Sequence, residues 1–332
     1  MATSEMPAAI GLCFEDRAAW QSTSNIVRAD EAARWLAPRS DISLAEALVR
    51  DIGIESILIP LSNYHRCDLA KLLSSNRDMM LWNVTDGVTA FCGSLVPSLA
   101  RIMRIPYFGS STYVQGLCQH KHHWKAVLTA HGILCSPSAV IRSSENSDYK
   151  GAYSLKPPLF VKPTSYGNNA GLSLIDPVSF TVDEAIEKAS ILIRSGLGPA
   201  LIEEFAPGHE YSIWGFKTNK WEFSAFKKIM DTPYLLTEVK DRKPTRRIFS
   251  MHNVEVPDAT AVCEKVVRIL EIDDYVRFDV RDDRFGRPLP IDINTGAFLT
   301  GRSFDLACRQ LKGSATKMFH DIVKQSWARQ HF

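Results

Sequence analysis

The stretch from Tyr275 to Ser303, YVRFDVRDDRFGRPLPIDINTGAFLTGRS, constrains this chain more than any other. Val276 to Val280 alternates in character with period two, Asp282 to Gly286 is a polar turn, and Leu289 to Asn294 forms a return run. A β-hairpin is therefore predicted. Successive strand side chains point to opposite faces, so Arg277 and Asp279 share one face of the first strand, and Asp292 and Asn294 share one face of the second. Should the two faces coincide, two carboxylates and an amide oxygen converge beside an arginine. Such hard oxygens suit Mg²⁺, and the arginine suits a phosphate or a carboxylate. Asp and Asn are depleted in strands, so their position inside a core-like run calls for a functional reason. The plain alternative is a surface hairpin with solvated acids.

The 332 residues suffice for two or three domains, and 45% hydrophobic with 23% charged residues is an ordinary globular composition. A net charge of +2 without a long basic run leaves no nucleic-acid footprint. The seven cysteines are scattered without a C-x-x-C pair and read as buried thiols in a reducing compartment. MATSEMPAAIG lacks the charged-then-apolar order of a secretory signal, and no apolar run approaches the roughly 18 residues that span a bilayer. A cytoplasmic protein with neither nucleic acid nor membrane as partner is expected.

Residues 1 to about 115 alternate strand and helix signals. Strands are predicted at Ala8–Phe14, Ser56–Ile59 and Met79–Val84, and helices at Ser43–Asp51, Asp68–Ser74 and Leu95–Met103. That order argues for an open parallel sheet, and the Asp86-Gly87 turn is either a site edge or a plain turn. No G-x-G-x-x-G follows the first strand, which removes the sequence argument for NAD. Gln119–His131 is predicted as one helix. Its adjacent His122 and His123 face different ways and do not make a zinc site. The strand Pro157–Pro163 ends in Lys162-Pro163. The loop Thr164–Gly171 and a second strand at Leu172–Ile175 follow, an arrangement that can wrap backbone N–H groups around phosphate oxygens. An amphipathic helix covers Val182–Ser195, with strands at Pro199–Phe205, Gly208–Trp214 and Trp221–Met230. The basic, polar stretch 231–247 is long for a connector and is expected to be either disordered or a lid. Helices at Asp258–Leu270 and Ala315–Gln330 flank the hairpin.

Taken in order, Lys121 on a helix, Lys162 with its glycine loop, Glu203-Glu204-Phe205, Gly208-x-Glu210, Arg277-x-Asp279 and Asp292-x-Asn294 resemble the ATP-grasp fold. Within that fold they resemble the D-alanine–D-alanine ligase family, where R-x-D precedes E-x-N-T-x-P-G-x-T. The resemblance runs from about Asn83 to Phe304. It implies an α/β chain, α+β in its C-terminal part: an N-terminal open parallel sheet (1–115), a central ATP-grasp subdomain (116–205) and a C-terminal one (206–332) carrying the metal site. It further implies ATP bound with two Mg²⁺ ions, for which Mn²⁺ is the substitute, held by Asp279, Asp292 and Asn294. Arg277, Lys240, Ser303 and Gly296 are the implied catalytic positions. Lys121, Lys162, Gly167, Asn168, Asn169, Glu203, Glu204, Phe205, Ala206 and Glu210 are the implied nucleotide contacts.

The implied reaction joins a small carboxylic acid to an amine through an acylphosphate, with ADP released, in a homodimer. The chain departs from the family at its amino-acid end: Ala297-Phe298 replaces Pro-Gly, Asp241 replaces the lid tyrosine, and the N-terminal glutamate motif is not evident. The same chemistry on a different amino acid or small peptide is therefore expected. The alternatives are an intramolecular cyclase or other natural-product ligase, and an inactive nucleotide-binding protein.

Overall fold

A computed structural model describes residues 5–14, 39–60, 78–84, 92–143, 146–166, 171, 174–230, 249–297, 299 and 302–330. The predicted helix at Asp68–Ser74, the Asp86-Gly87 turn, the 231–247 stretch with Lys240, and Gly167, Asn168 and Asn169 lie outside the described residues.

The first sheet is open and parallel, as the alternating signals predict. Strands β1 (Ala9–Phe14), β2 (Glu55–Pro60), β3 (Met79–Asn83) and β4 (Tyr107–Phe108) stand in the order β2-β1-β3-β4. Helices α1 (Arg39–Asp51) and α2 (Cys92–Met103) accompany it. A strand such as β3, buried at every residue, reads as a continuous apolar run because both faces of a parallel sheet are covered.

Two antiparallel sheets follow. The first orders β5 (Ser138–Ile141), β8 (Ala200–Glu204), β6 (Leu159–Pro163) and β7 (Val178–Ser179) as β5-β8-β6-β7. The helix α5 (Val182–Arg194), capped by the Thr181 side chain on the Glu184 N–H, buries Ala185, Ile186, Ala189 and Leu192 against it. The second sheet runs β11-β10-β9-β12-β13, formed by β9 (Glu210–Lys217), β10 (Trp221–Met230), β11 (Phe249–Asn253), β12 (Tyr275–Asp282) and β13 (Pro288–Asn294). Helix α6 (Pro257–Ile269) covers one face of it, burying Cys263, Val266 and Val267.

One helix start shifts and one expectation is corrected. The helix predicted at Gln119–His131 is present as α4 (Lys121–Ala130), and His120, with extended backbone (φ −97°, ψ 97°), separates it from α3 (Thr112–Gln119). The strand paired with β6 is Val178–Ser179, with Leu174 and Ile175 in a turn instead. Gly171, at φ +76°, fits so tightly against Leu192 and Leu197 that a Cβ would come within 2.8 Å of both, and Leu174 closes a turn back onto its carbonyl. The chain therefore bends before it can pair.

The C-terminal helices α7 (Arg302–Lys312) and α8 (Ala315–Gln330) pack with the first and third sheets around one core, which includes Trp82, Phe108, Trp214, Phe304 and Phe319. Trp82 donates its indole N–H to the Tyr275 hydroxyl at 3.0 Å. Asp274 is buried at φ +60°. It accepts from the Gly109 N–H at 2.7 Å and the Ser326 hydroxyl at 2.8 Å, and pairs with Arg329. These contacts fix the hairpin's start against the first sheet.

Candidate active site

The two predicted faces do coincide. Across the antiparallel β12–β13 pair, Arg277 stands opposite Asn294 and Asp279 opposite Asp292. The hairpin is irregular immediately afterwards: Val280 pairs with Pro290, so Ile291 is the extra residue of a bulge on edge strand β13. Proline is tolerated at such a place because it owes no ladder hydrogen bond there. The Ile291 carbonyl accepts from the Lys162 ammonium at 3.3 Å, which brings β6 of the four-stranded antiparallel sheet to the hairpin.

Lys162 is also the centre of a buried ion cluster. Its Nζ lies 2.6 Å from Glu203 Oε1, and Lys125 Nζ lies 3.0 Å from Glu203 Oε2, off the axis of a well-formed hydrogen bond. Burial alone would raise the Glu203 carboxyl, but the two ammonium groups beside it hold it down at about 2. Glu203 is thus an anchor for two lysines. Its neighbour Glu204 points to the other face of β8 and accepts from the Lys156 N–H at 3.0 Å.

Lys121 opens α4, one helical turn before Lys125. Its ammonium donates to the Tyr166 carbonyl at 3.0 Å and stands 3.5 Å from Asp292 Oδ1. Asp292 keeps a third of its side chain exposed. Asn294 Oδ1 accepts from the Gly296 N–H at 3.1 Å, which orients the amide. Behind it, Thr295 donates its hydroxyl to the buried Gln115 at 2.8 Å.

On the same sheet, Lys228 of β10 reaches Glu210 Oε1 at 2.7 Å and Asp279 Oδ1 at 2.8 Å. Arg281 Nη1 lies 3.6 Å from Glu210 Oε2, and Arg277 Nη2 lies 3.8 Å from Asp279 Oδ2. Burial would raise the Asp279 carboxyl; Lys228 and Arg277 reverse this and hold it at about 2. Burial likewise works against the Lys228 charge, yet Asp279 and Glu210 move its pKa upward. Arg281 also donates from Nε to the Gly208 carbonyl at 3.2 Å and lies 4.7 Å over the Phe205 ring, next to which stands Phe160.

The structure therefore gathers Lys121 of α4 with Lys162, Glu203, Phe205, Glu210, Arg277, Asp279, Asp292 and Asn294 of the two antiparallel sheets. Ala206 is buried beside Phe205, and Ser303 sits half-buried in the first turn of α7. Three charged residues that the linear pattern does not single out belong to the same set: Lys125, Lys228 and Arg281. Lys125 carries a signal, four residues after Lys121 on one helix face.

The donor set fits a divalent cation. The Asp292 carboxylate and the pre-oriented Asn294 amide oxygen share one face of the hairpin with Asp279, whose two oxygens are already paired with Lys228 and Arg277. Among the described residues no three His, Cys, Asp or Glu side chains converge, so the set is carboxylate-and-amide in character. The buried Arg277 Nε has no hydrogen-bond partner among the described residues, and so remains a donor for an anion.

No family profile matches the chain. A D-alanine–D-alanine ligase of Streptomyces coelicolor is 32% identical over 135 residues, 35% of this chain and 34% of that protein. One from Sodalis glossinidius is 30% identical over 164 residues, 46% of this chain and 43% of that protein. The aligned stretch thus spans about a third to two fifths of these relatives. D-alanine–D-alanine ligase B of Clostridium perfringens aligns over 69% of this chain and 74% of its own length at 24% identity. Among solved structures, a D-alanine–D-alanine ligase of Bacillus anthracis complexed with ATP superposes with a TM-score of 0.73 at 17% identity, covering 97% of this chain and 98% of the other. The VanG D-Ala:D-Ser ligase of Enterococcus faecalis gives 0.68 at 13%, over 96% and 99%. Among the described residues no helix is long and apolar enough to cross a membrane.

Proposed function

We infer that this chain, which has the ATP-grasp fold of the D-alanine–D-alanine ligases, is an ATP-dependent ligase joining a carboxylic acid to an amine. One observation carries the reading. Arg277, Asp279, Asp292 and Asn294 share one hairpin face, and the ammonium groups of Lys121 and Lys162 reach that same hairpin. An array of this kind neutralises and positions a polyphosphate, which is most of what phosphoryl transfer asks of a protein.

In the proposed reaction a substrate carboxylate oxygen attacks the γ-phosphorus of ATP, and the bond to the β–γ bridging oxygen breaks. ADP leaves and an acylphosphate remains. The amine nitrogen then attacks the acyl carbon, the C–O bond to phosphate breaks, the nitrogen loses a proton, and an amide and inorganic phosphate result. Arg277 offers its guanidinium to the transferring phosphoryl group. Lys121 and Lys162 hold the nucleotide phosphates, Phe205 and Ala206 line the base, and Glu210 faces the ribose. Mg²⁺ held at Asp292 and Asn294 beside Asp279 would supply phosphate charge neutralisation. Ser303 would receive the carboxylate of the accepting amine, a role that its position in the N-terminal turn of α7 supports. Ala297-Phe298, in place of Pro-Gly, supports a substrate other than D-alanine.

The test is ADP release from ATP and Mg²⁺ across pools of amino acids, dipeptides and small carboxylic acids, with products weighed by mass spectrometry. Release that needs one acid and one amine, with an amide product, bears the reading out. Release with a single compound identifies an intramolecular cyclase. Binding of ATP without release in any pool overturns catalysis and leaves a nucleotide-binding protein.

A further inference from the structure

We propose that Lys228 takes the place of a divalent cation against Asp279, so that this site works with one metal ion per nucleotide and a resident ammonium. The proposal rests on the nucleotide-and-metal reading above and goes beyond it by assigning a residue and a stoichiometry.

The geometry is specific. On β10, Lys228 stands directly opposite Glu210 of β9, and Glu210 in turn stands opposite Arg281 of β12. Asp279 lies two residues before Arg281 on the same face. Lys228 therefore extends diagonally across β9, and one ammonium sits 2.7 Å from Glu210 and 2.8 Å from Asp279. Every oxygen of this pair of acids already faces a cation. Glu210 has Lys228 on Oε1 and Arg281 on Oε2, while Asp279 has Lys228 on Oδ1 and Arg277 on Oδ2. A divalent ion on Asp279 would stand within a few ångströms of the ammonium and the guanidinium, and would be repelled by both.

Asp292 and Asn294 differ. Asp292 has one cation at the longer distance of 3.5 Å and a third of its side chain open to solvent, and Asn294 is already aimed by the Gly296 N–H. That pair is the open seat for a metal, and the other is filled by protein. The charges agree. Among the described residues, Lys121, Lys125, Lys162, Lys228, Arg277 and Arg281 face Glu203, Glu210, Asp279 and Asp292, leaving two positive charges. ATP carrying one divalent ion has about two negative charges to set against them, whereas ATP carrying two ions has about none.

The experiment counts Mn²⁺ bound per protein saturated with a non-hydrolysable ATP analogue, by electron paramagnetic resonance of the free ion, with nucleotide binding measured separately by calorimetry. Wild-type protein is expected to hold one Mn²⁺ per nucleotide, and Lys228→Met two. Asp279→Asn keeps the single Mn²⁺ with less than about 3-fold loss of affinity, whereas Asp292→Asn loses it. Two Mn²⁺ in the wild type overturn the proposal, as does a single Mn²⁺ in a folded Lys228→Met variant. Should Lys228→Met not fold, the wild-type count and the Asp279→Asn and Asp292→Asn pair decide on their own. Failure of the wild type to bind the analogue overturns the ligase reading itself, a result separate from any metal count.

Discussion

Asp279 and Asp292 stand directly opposite each other on antiparallel strands, two carboxylates where a stable sheet would pair opposite charges. Lys228 and Arg277 compensate the first of them, and Lys121 approaches the second. Such a like-charge pair costs stability, and a cation bound beside it would offset that cost.

Replacing Asp292 with Asn separates these two properties. The melting temperature without nucleotide is expected to stay level or rise by a degree or two, because one like-charge contact is removed. ATP-dependent turnover should fall by roughly 10²-fold or more, since the carboxylate that would hold the metal against the phosphates is lost. Turnover within a few-fold of wild type would remove Asp292 from the metal site.

Glu203→Gln strands two buried ammonium groups, and breaking a buried ion pair in this way costs about 3–5 kcal/mol. The loss is read from urea unfolding. The Glu203 carboxyl is lowered on folding, so its contribution is complete above the unfolded value of 4.5 and is lost as the pH falls through about 2. The stability gap between wild type and Glu203→Gln should accordingly narrow between about pH 5 and pH 2. A gap constant over that range would show that the anchor is not ionic.

Asp274 predicts the opposite slope. Burial raises its carboxyl to about 6 despite Arg329 and the Gly109 N–H. The folded protein therefore holds a proton that the unfolded chain releases, and stability falls as the pH rises from the unfolded value of 3.8 through about 6. Asp274→Asn should flatten that part of the stability–pH curve. An unchanged slope would remove Asp274 as its source.

Lys162→Ala removes a charge that reaches both Glu203 and the hairpin. The KM for ATP is expected to rise by at least about tenfold, while the KM for the accepting amine moves little. Equal effects on both substrates would argue against a nucleotide contact.

Gly208→Ala tests the ribose end. A Cβ there would fall 2.6 Å from the Asp282 carbonyl oxygen and 2.7 Å from its Cβ, so backbone has to move. Overpacking of this kind costs about 1–3 kcal/mol. The displacement also reaches Glu210 two residues on, so thermal stability and ATP affinity should fall together. Calorimetric affinity equal to wild type would mean that β9 absorbs the shift.

The period-two runs that form β9, β10, β12 and β13 were legible in the sequence, because each strand carries its own alternation and its own turn. The first sheet was legible for a related reason, as buried parallel strands are plain apolar runs. The elements that escaped are short or weakly marked: β7 is two residues long, and β11 follows directly on the basic stretch. The pattern of α7 was present, with Phe304, Ala307 and Cys308 at helical spacing, although the motif preceding it dominates that region. In the site, residues that share a short motif could be paired by spacing. Lys228 could not, because nothing in the doublet Lys227-Lys228 marks which lysine faces the acids. The register of β10 on β9 decides that, and register is a non-local property. Likewise, Glu203 reads as a strand-end acid until the fold sets a lysine on each oxygen.

The bulge at Ile291 has a mechanical side. Lys162 grips Glu203 in one sheet and the Ile291 carbonyl in the other, and Ile291 is joined by a single peptide bond to Asp292. Sheet, lysine, carbonyl and carboxylate are thus coupled in series, as links of one tether. A force that draws the sheets apart is transmitted directly to Asp292, and on the proposed reading a phosphate that pulls on Lys162 is felt at the same carboxylate.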